Sequence, residues 1–285
     1  MSSPDVATAA QGTGWGTLQL LGNELATQFR RPRTWAMLAA LALIPILMGV
    51  AIRIVGGSSP GRGPAFLDQV TNNGFFLALA ALTVAIPLFL PLTVSVAAGD
   101  AIAGEASHGT LRYLLIAPAG RARLLAVKFS AAIAFCVAAT LIVVVAGTVI
   151  GWVLFGFGPV TLLSGAQVPV GDGLLRLLAV AAYVSVSMVG LSAIGLFLST
   201  LTTVPIGAMA ATAILSVTAQ IIGAIPQLEA VHPWLFTDQW LGFGDLLRSP
   251  IVWDSFAGNA LLQAGYVLVF GAAAIARFTT KDILS

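Results

Sequence analysis

The sequence predicts an all-α integral membrane protein with six transmembrane helices, and three observations carry that prediction. Of its 285 residues 58% are hydrophobic and 8% are charged, where a soluble globular chain carries about 25% charged residues. The apolar residues fall in long uninterrupted runs, and the charged ones gather between them. A soluble domain of this size has too little interior to hide so much apolar surface, so the bilayer is the solvent that fits.

A spanning helix needs roughly 20 apolar residues, and the charge-free intervals that qualify are Thr34 to Ile52, Gln69 to Gly99, Phe129 to Gly171, Leu177 to Leu228 and Ser255 to Ala276. The fourth is too long for one helix. At its middle, Ser199-Thr200-Leu201-Thr202-Thr203-Val204-Pro205 supplies hydroxyls and then a proline suited to a helix start, which divides it. The predicted cores are Trp35–Ile54, Phe75–Ala98, Leu124–Leu154, Leu174–Ser199, Pro205–Ile225 and Phe256–Ala276. Pro45, Pro87 and Pro91 each remove a helix donor, and the last two, in one span, predict a bend there. Gly147 and Gly151 have the small-xxx-small spacing of close helix approach, a weak signal because glycine is common in membrane helices.

Six spans put both termini on one side, and Lys and Arg are enriched on the cytoplasmic side. The N-terminal segment holds Arg30, Arg31 and Arg33, the second connection Arg112, Arg121, Arg123 and Lys128, and the C-terminus Arg277 and Lys281. The opposite side holds Arg53, Arg62, Arg176 and Arg248. Both termini are therefore expected in the cytoplasm, beneath the cell membrane. The first apolar run begins late, directly after three arginines, so no cleaved signal peptide is expected. Leu18, Leu21, Leu25 and Phe29 recur at spacings of three and four around Glu24 and Gln28. This predicts an amphipathic surface helix from Trp15 to Arg31 within a cytoplasmic segment 1–33.

A formal charge of +2, spread over short clusters, does not suit nucleic acid. Cys136 is the lone cysteine and sits in an apolar run, so neither a disulfide nor a Cys/His metal spacing exists. His232 stands beside Pro233, with His108 as the only other histidine, which argues against a metal site.

The connections are unequal. Residues 56–64 read as a flexible Gly/Pro/Ser loop. Residues 226–254 carry Trp234, Phe236, Trp240, Phe243 and Trp253 among Glu229, Asp238, Asp245 and Asp254. Amphipathic rings of this kind settle at the headgroup level, and the segment reads as short interfacial or re-entrant helices capping the outer mouth of a path. A plain aromatic belt is the simpler alternative. The second cytoplasmic connection, residues 99–123, places Leu111, Leu114 and Leu115 on one ridge opposite charged groups, and Pro118 with Gly120 ends the run. It predicts a short helix parallel to the membrane, one face toward its own bundle and one toward a soluble partner. A simple amphipathic turn would have no need of Asp100 and Glu105 there.

At these residues the chain resembles the type-2 ABC transporter permeases, the six-span export-type membrane subunits. Glu105, then Gly109-Thr110-Leu111, Leu114-Leu115, Pro118, Arg121 and Lys128 follow that family's loose order after the second span. Phe278-Thr279-Thr280-Lys281-Asp282-Ile283 is similar to its short C-terminal tail. The six-span plan covers nearly the whole chain as a single transmembrane domain, while the motif covers about thirty residues.

The resemblance implies a pair of permeases, as two copies or a copy and a homologue, embedded in lipid above two cytoplasmic ATP-binding subunits. ATP and Mg are then expected in the partner and no cofactor in this chain. Coupling would fall to the N-terminal helix and to Asp100, Glu105, Gly109, Thr110, Leu111, Arg112, Leu114, Leu115, Pro118 and Arg121. Trp234, Phe236, Trp240 and Phe243 would form an external gate.

No Gly-x-x-x-x-Gly-Lys-Ser/Thr phosphate loop occurs, and neither Lys128 nor Lys281 follows the required glycines. Hydrolysis must then come from another polypeptide. An ion-coupled secondary transporter is the main competing reading, but it wants ionisable groups at membrane depth. The six predicted cores are read as holding no Asp, Glu, His or Lys, Lys128 being counted with the second connection. Coordination of sodium by backbone carbonyls at broken helices stays open. An intramembrane enzyme would need an acid or base beside Ser185, Ser187, Ser192, Thr140 or Cys136, and none is adjacent in sequence. The cargo suited to spans rich in Ala, Leu and Val is a lipid, a hydrophobic drug or a lipid-linked molecule.

Overall fold

The computed structural model describes residues 13–56, 73–109 and 120–280. In order come α1 (Thr13–Arg30), α2 (Pro32–Gly56), α3 (Phe75–Val84), α4 (Leu90–Ser107), α5 (Arg121–Phe155), α6 (Val170–Ser187), α7 (Val189–Leu201), α8 (Pro205–Gly223) and α9 (Asp254–Thr280). Six stretches are long and apolar enough to cross a membrane: Pro32–Ile54, Phe75–Ser107, Arg121–Phe155, Val170–Leu201, Pro205–Gly223 and Asp254–Thr280. They coincide with the predicted cores, and the break between the fourth and fifth falls at Pro205, the first residue of α8. The protein is an all-α membrane protein with one two-residue hairpin, Val160–Thr161 against Gln167–Val168, among the described residues.

The second and third spans are 33 and 35 residues long. At about 1.5 Å per residue each measures roughly 50 Å, well beyond a hydrocarbon core of about 30 Å. Their extra turns carry the charges. The second and fourth spans form the centre of the bundle, while the first, fifth and sixth are mostly on its outside.

The irregularity predicted from Pro87 and Pro91 takes the form of a single π turn, Ala85–Phe89, between α3 and α4. Pro87 has no N–H to donate and its ring displaces a carbonyl one turn earlier, so the local register widens. Pro91 falls in the first turn of α4, where no donor is required.

Gly147 and Gly151 do mark a helix crossing, and it lies within this chain. A Cβ on Gly147 would stand 2.6 Å from Ala78 Cα, and one on Gly151 would stand 2.0 Å from the Gly74 carbonyl oxygen. The two small-residue pairs are antiparallel, Gly147 against Ala78 and Gly151 against Gly74. Elsewhere Ser199 Oγ accepts from the amides of Ile102 and Ala103 at 3.0 and 2.8 Å and donates to Gly99 O at 2.7 Å. That one hydroxyl fastens α7 to α4.

Candidate functional site

Two sites lie at opposite ends of the bundle. The first is where α1, the last turns of α4 and the start of α5 meet. Asp100 Oδ2 accepts from Arg31 Nη1 at 2.9 Å and from Arg33 Nη2 at 2.5 Å. Lys128 Nζ donates to Glu24 Oε1 at 2.8 Å and to Glu105 Oε1 at 3.0 Å. The assignment of Lys128 to the connection is corrected here: it lies inside α5, with its side chain 4% exposed. Its aliphatic stem packs in the bundle, and two carboxylates balance the head group, which is what allows a charge to be buried.

In sequence Glu24 is only a polar break in the ridge of α1, yet its pair with Lys128 ties α1 to the bundle. The expected surface helix packs along the base of α5, with Leu21, Leu25 and Phe29 half-buried and Leu18 turned outward.

Among the other predicted coupling residues, Gly109 follows α4 with φ of 70°, a left-handed stop suited to glycine. Arg121 Nη1 donates to the carbonyls of Phe278 and Thr279 at 3.2 and 2.9 Å, capping the end of α9. Thr110, Leu111, Arg112, Leu114, Leu115 and Pro118 lie outside the described residues.

The second site is the cap at the far end. Pro226–Trp234 and Gly242–Leu247 are 3₁₀ helices. Within this segment Phe236, Trp240 and Phe243 are buried against the spans, while Trp234 is 74% exposed. The buried three are spaced four and three apart, so one side of the segment enters the core with all of them. Phe236 meets Trp240 and Tyr266 edge-on at 5.7 and 5.4 Å.

Short helices leave carbonyls that need donors, and side chains of the spans supply them. Tyr183 Oη donates to Gln239 O at 2.5 Å, Gln263 Nε2 to Phe236 O at 2.9 Å and Tyr266 Oη to Trp234 O at 2.7 Å. Arg176 Nη1 reaches the carbonyls of Leu246 and Arg248 at 2.8 and 2.7 Å. Behind them Asn259 Nδ2 donates to Ser187 Oγ at 2.8 Å. His232 Nε2 lies 3.2 and 3.1 Å from the carbonyls of Ile222 and Ile225, a helix-ending role that needs no metal. Sequence reasoning passed over Tyr183, Asn259, Gln263 and Tyr266. The signal was present, since Asn259 and Gln263 are amides one turn apart in an otherwise apolar span.

Six spans around a buried centre, with a charged base and a folded cap, fit a polytopic membrane transport subunit. The description "ABC-2 family transporter protein" matches residues 18–233, from α1 through the first 3₁₀ helix of the cap. The chain belongs to that family and is a permease subunit of an ABC transporter, a class that works with ATP-binding subunits. No curated protein gives a significant match to the chain.

Proposed function

We propose that this chain is the permease of an ATP-driven exporter of the cell membrane. Two copies, or this chain and a homologue, enclose the path. Two ATP-binding subunits, holding ATP and Mg, dock beneath α1 and residues 99–123, and both termini face the cytoplasm. The cap around Phe236, Trp240 and Phe243 serves as the external gate, with Trp234 at its rim. The observation that carries the coupling role is the charged cluster at the base, which ties α1 and the end of α4 to the buried Lys128.

Ion coupling has less to work with. Among the described residues Lys128 is the only charged side chain in the buried set, and it is bound to two carboxylates.

The test is co-purification with a cytoplasmic ATP-binding subunit co-expressed with this chain. Glu105→Ala is expected to weaken that association or to separate hydrolysis from movement of the permease, because removing one member of a desolvated charge pair costs about 2–5 kcal/mol. Thr161→Ala, on the exposed hairpin at the other end, is expected to do neither. Hydrolysis of ATP by this chain alone would refute the subunit reading.

A further inference from the structure

Three carboxylates and three cations meet at the base of the bundle: Glu24, Asp100 and Glu105 with Arg31, Arg33 and Lys128. The set balances its own charge. Within it Lys128 differs from the two arginines, whose side chains are 44% and 43% exposed, because its own is 4% exposed. It also makes the longest-range pair of the set, 104 residues in sequence to Glu24. Glu24 lies on α1, Glu105 is 23 residues before Lys128 at the end of α4, and Lys128 itself is on the helix that runs to the far end.

A compact ammonium carries three donors, so it can serve two carboxylates from different helices at once. Burial keeps such pairs from being screened by salt. Without the ammonium the two carboxylates would face each other across the same space, and like charges at that range repel. A cavity of about 30 Å³ lined by Glu24, Arg31, Arg33, Asp100 and Lys128 adjoins the joint.

We propose that Lys128 is a positioning residue for energy coupling: it locks α1 and the end of α4 into one lever hinged on α5. Displacement of either element by an ATPase subunit then reaches α5 through this charged joint. Glu105 acts inward, on Lys128. The inference rests on the permease reading and goes beyond it, since it assigns the transmitting contact to the inside of this chain and not to a grip on a partner's basic residue.

The experiment uses the complex with its ATP-binding subunit in nanodiscs, in a Cys136→Ala background. Two quantities are read: the rate of ATP hydrolysis, and maleimide labelling of Thr237→Cys in the cap with and without ATP plus orthovanadate. The wild-type lever is expected to change labelling at least threefold on trapping. Lys128→Glu should abolish that change while hydrolysis stays within twofold. The full inversion Glu24→Lys/Glu105→Lys/Lys128→Glu rebuilds the joint with opposite signs and should restore the threefold response.

A Glu105 that grips a partner's base predicts the opposite, because its reversal would repel that base and the triple variant would stay uncoupled; that result overturns the joint. So does a normal labelling response in Lys128→Glu. If Lys128→Glu alone yields no folded protein, recovery of a responsive complex in the triple variant supports the joint, and failure to recover one overturns it. A wild-type complex with no ATP-dependent labelling change overturns the proposed gate and the joint together, whereas a wild-type response that survives Lys128→Glu overturns the joint alone.

Discussion

The two ends of the bundle are fastened by different chemistry. At the base the contacts are ionic, with Asp100 on two arginines and Lys128 on two glutamates. At the cap they are mostly neutral, with Tyr183, Gln263 and Tyr266 donating to backbone carbonyls beside the charged donor Arg176, and with one local ion pair, Arg248 on Asp245, among the described residues. The difference matters for motion. Coulomb attraction falls off only as the inverse of distance, so an ionic joint can be displaced by an ångström or two and still pull. A hydrogen bond weakens steeply once its angle and length leave a narrow range, so the cap is either seated or released. On the proposed reading, the base suits transmission of movement and the cap suits a two-state gate.

The largest effect is expected where neither kind of contact is involved and backbone meets backbone. Gly151→Val places a branched side chain where a Cβ alone would lie 2.0 Å from the Gly74 carbonyl oxygen. Overpacking of that kind costs about 3 kcal/mol or more, seen as loss of monodisperse protein in detergent. Gly22→Ala is the control: it meets open space on α1 and should keep or slightly raise the melting temperature, by roughly 0.5–1 kcal/mol of helix stability.

Next come the cap contacts. Tyr183→Phe removes the donor to Gln239 O, and Gln263→Leu the donor to Phe236 O. Each should lower stability by about 0.5–1.5 kcal/mol, equally in low and high salt, in thermal melts of the purified protein. The smallest effect is expected from Asp100→Asn, whose two arginine partners are nearly half exposed. Pairs of that kind contribute about 0–1 kcal/mol, and the loss should disappear in high salt. A salt-sensitive Tyr183→Phe, or an Asp100→Asn whose deficit persists in high salt, would show that the two ends are not fastened differently.

Much of this was legible in the residues. Charge-free intervals marked the spans because a hydrocarbon solvent admits few other residues, and Pro205 divided the longest interval where a helix does begin. Pro87 announced an irregular turn, and the π turn appeared at that residue. Gly147 and Gly151 announced a crossing, but not its partner, since nothing in a local pattern names Gly74 and Ala78 on another helix. The aromatic cap is divided in a related way. Composition marks rings as interfacial, while the spacing of Phe236, Trp240 and Phe243 puts all three on the side that the spans bury.

Lys128 shows the division most clearly. Its type and its place beside an apolar run determined that a positive charge would stand near one membrane surface, as hydration energy requires. The bilayer's preference for apolar helices likewise determined the number of spans and where each begins. Which charges pair was decided only by the tertiary structure, because Glu24 lies 104 residues from Lys128 in sequence and only the packing of α1 along α5 brings them to 2.8 Å. Transfer into lipid is a sum over local residues and can be read along the chain. A buried ion pair depends on the distance between two helices, and that distance exists only once they have packed.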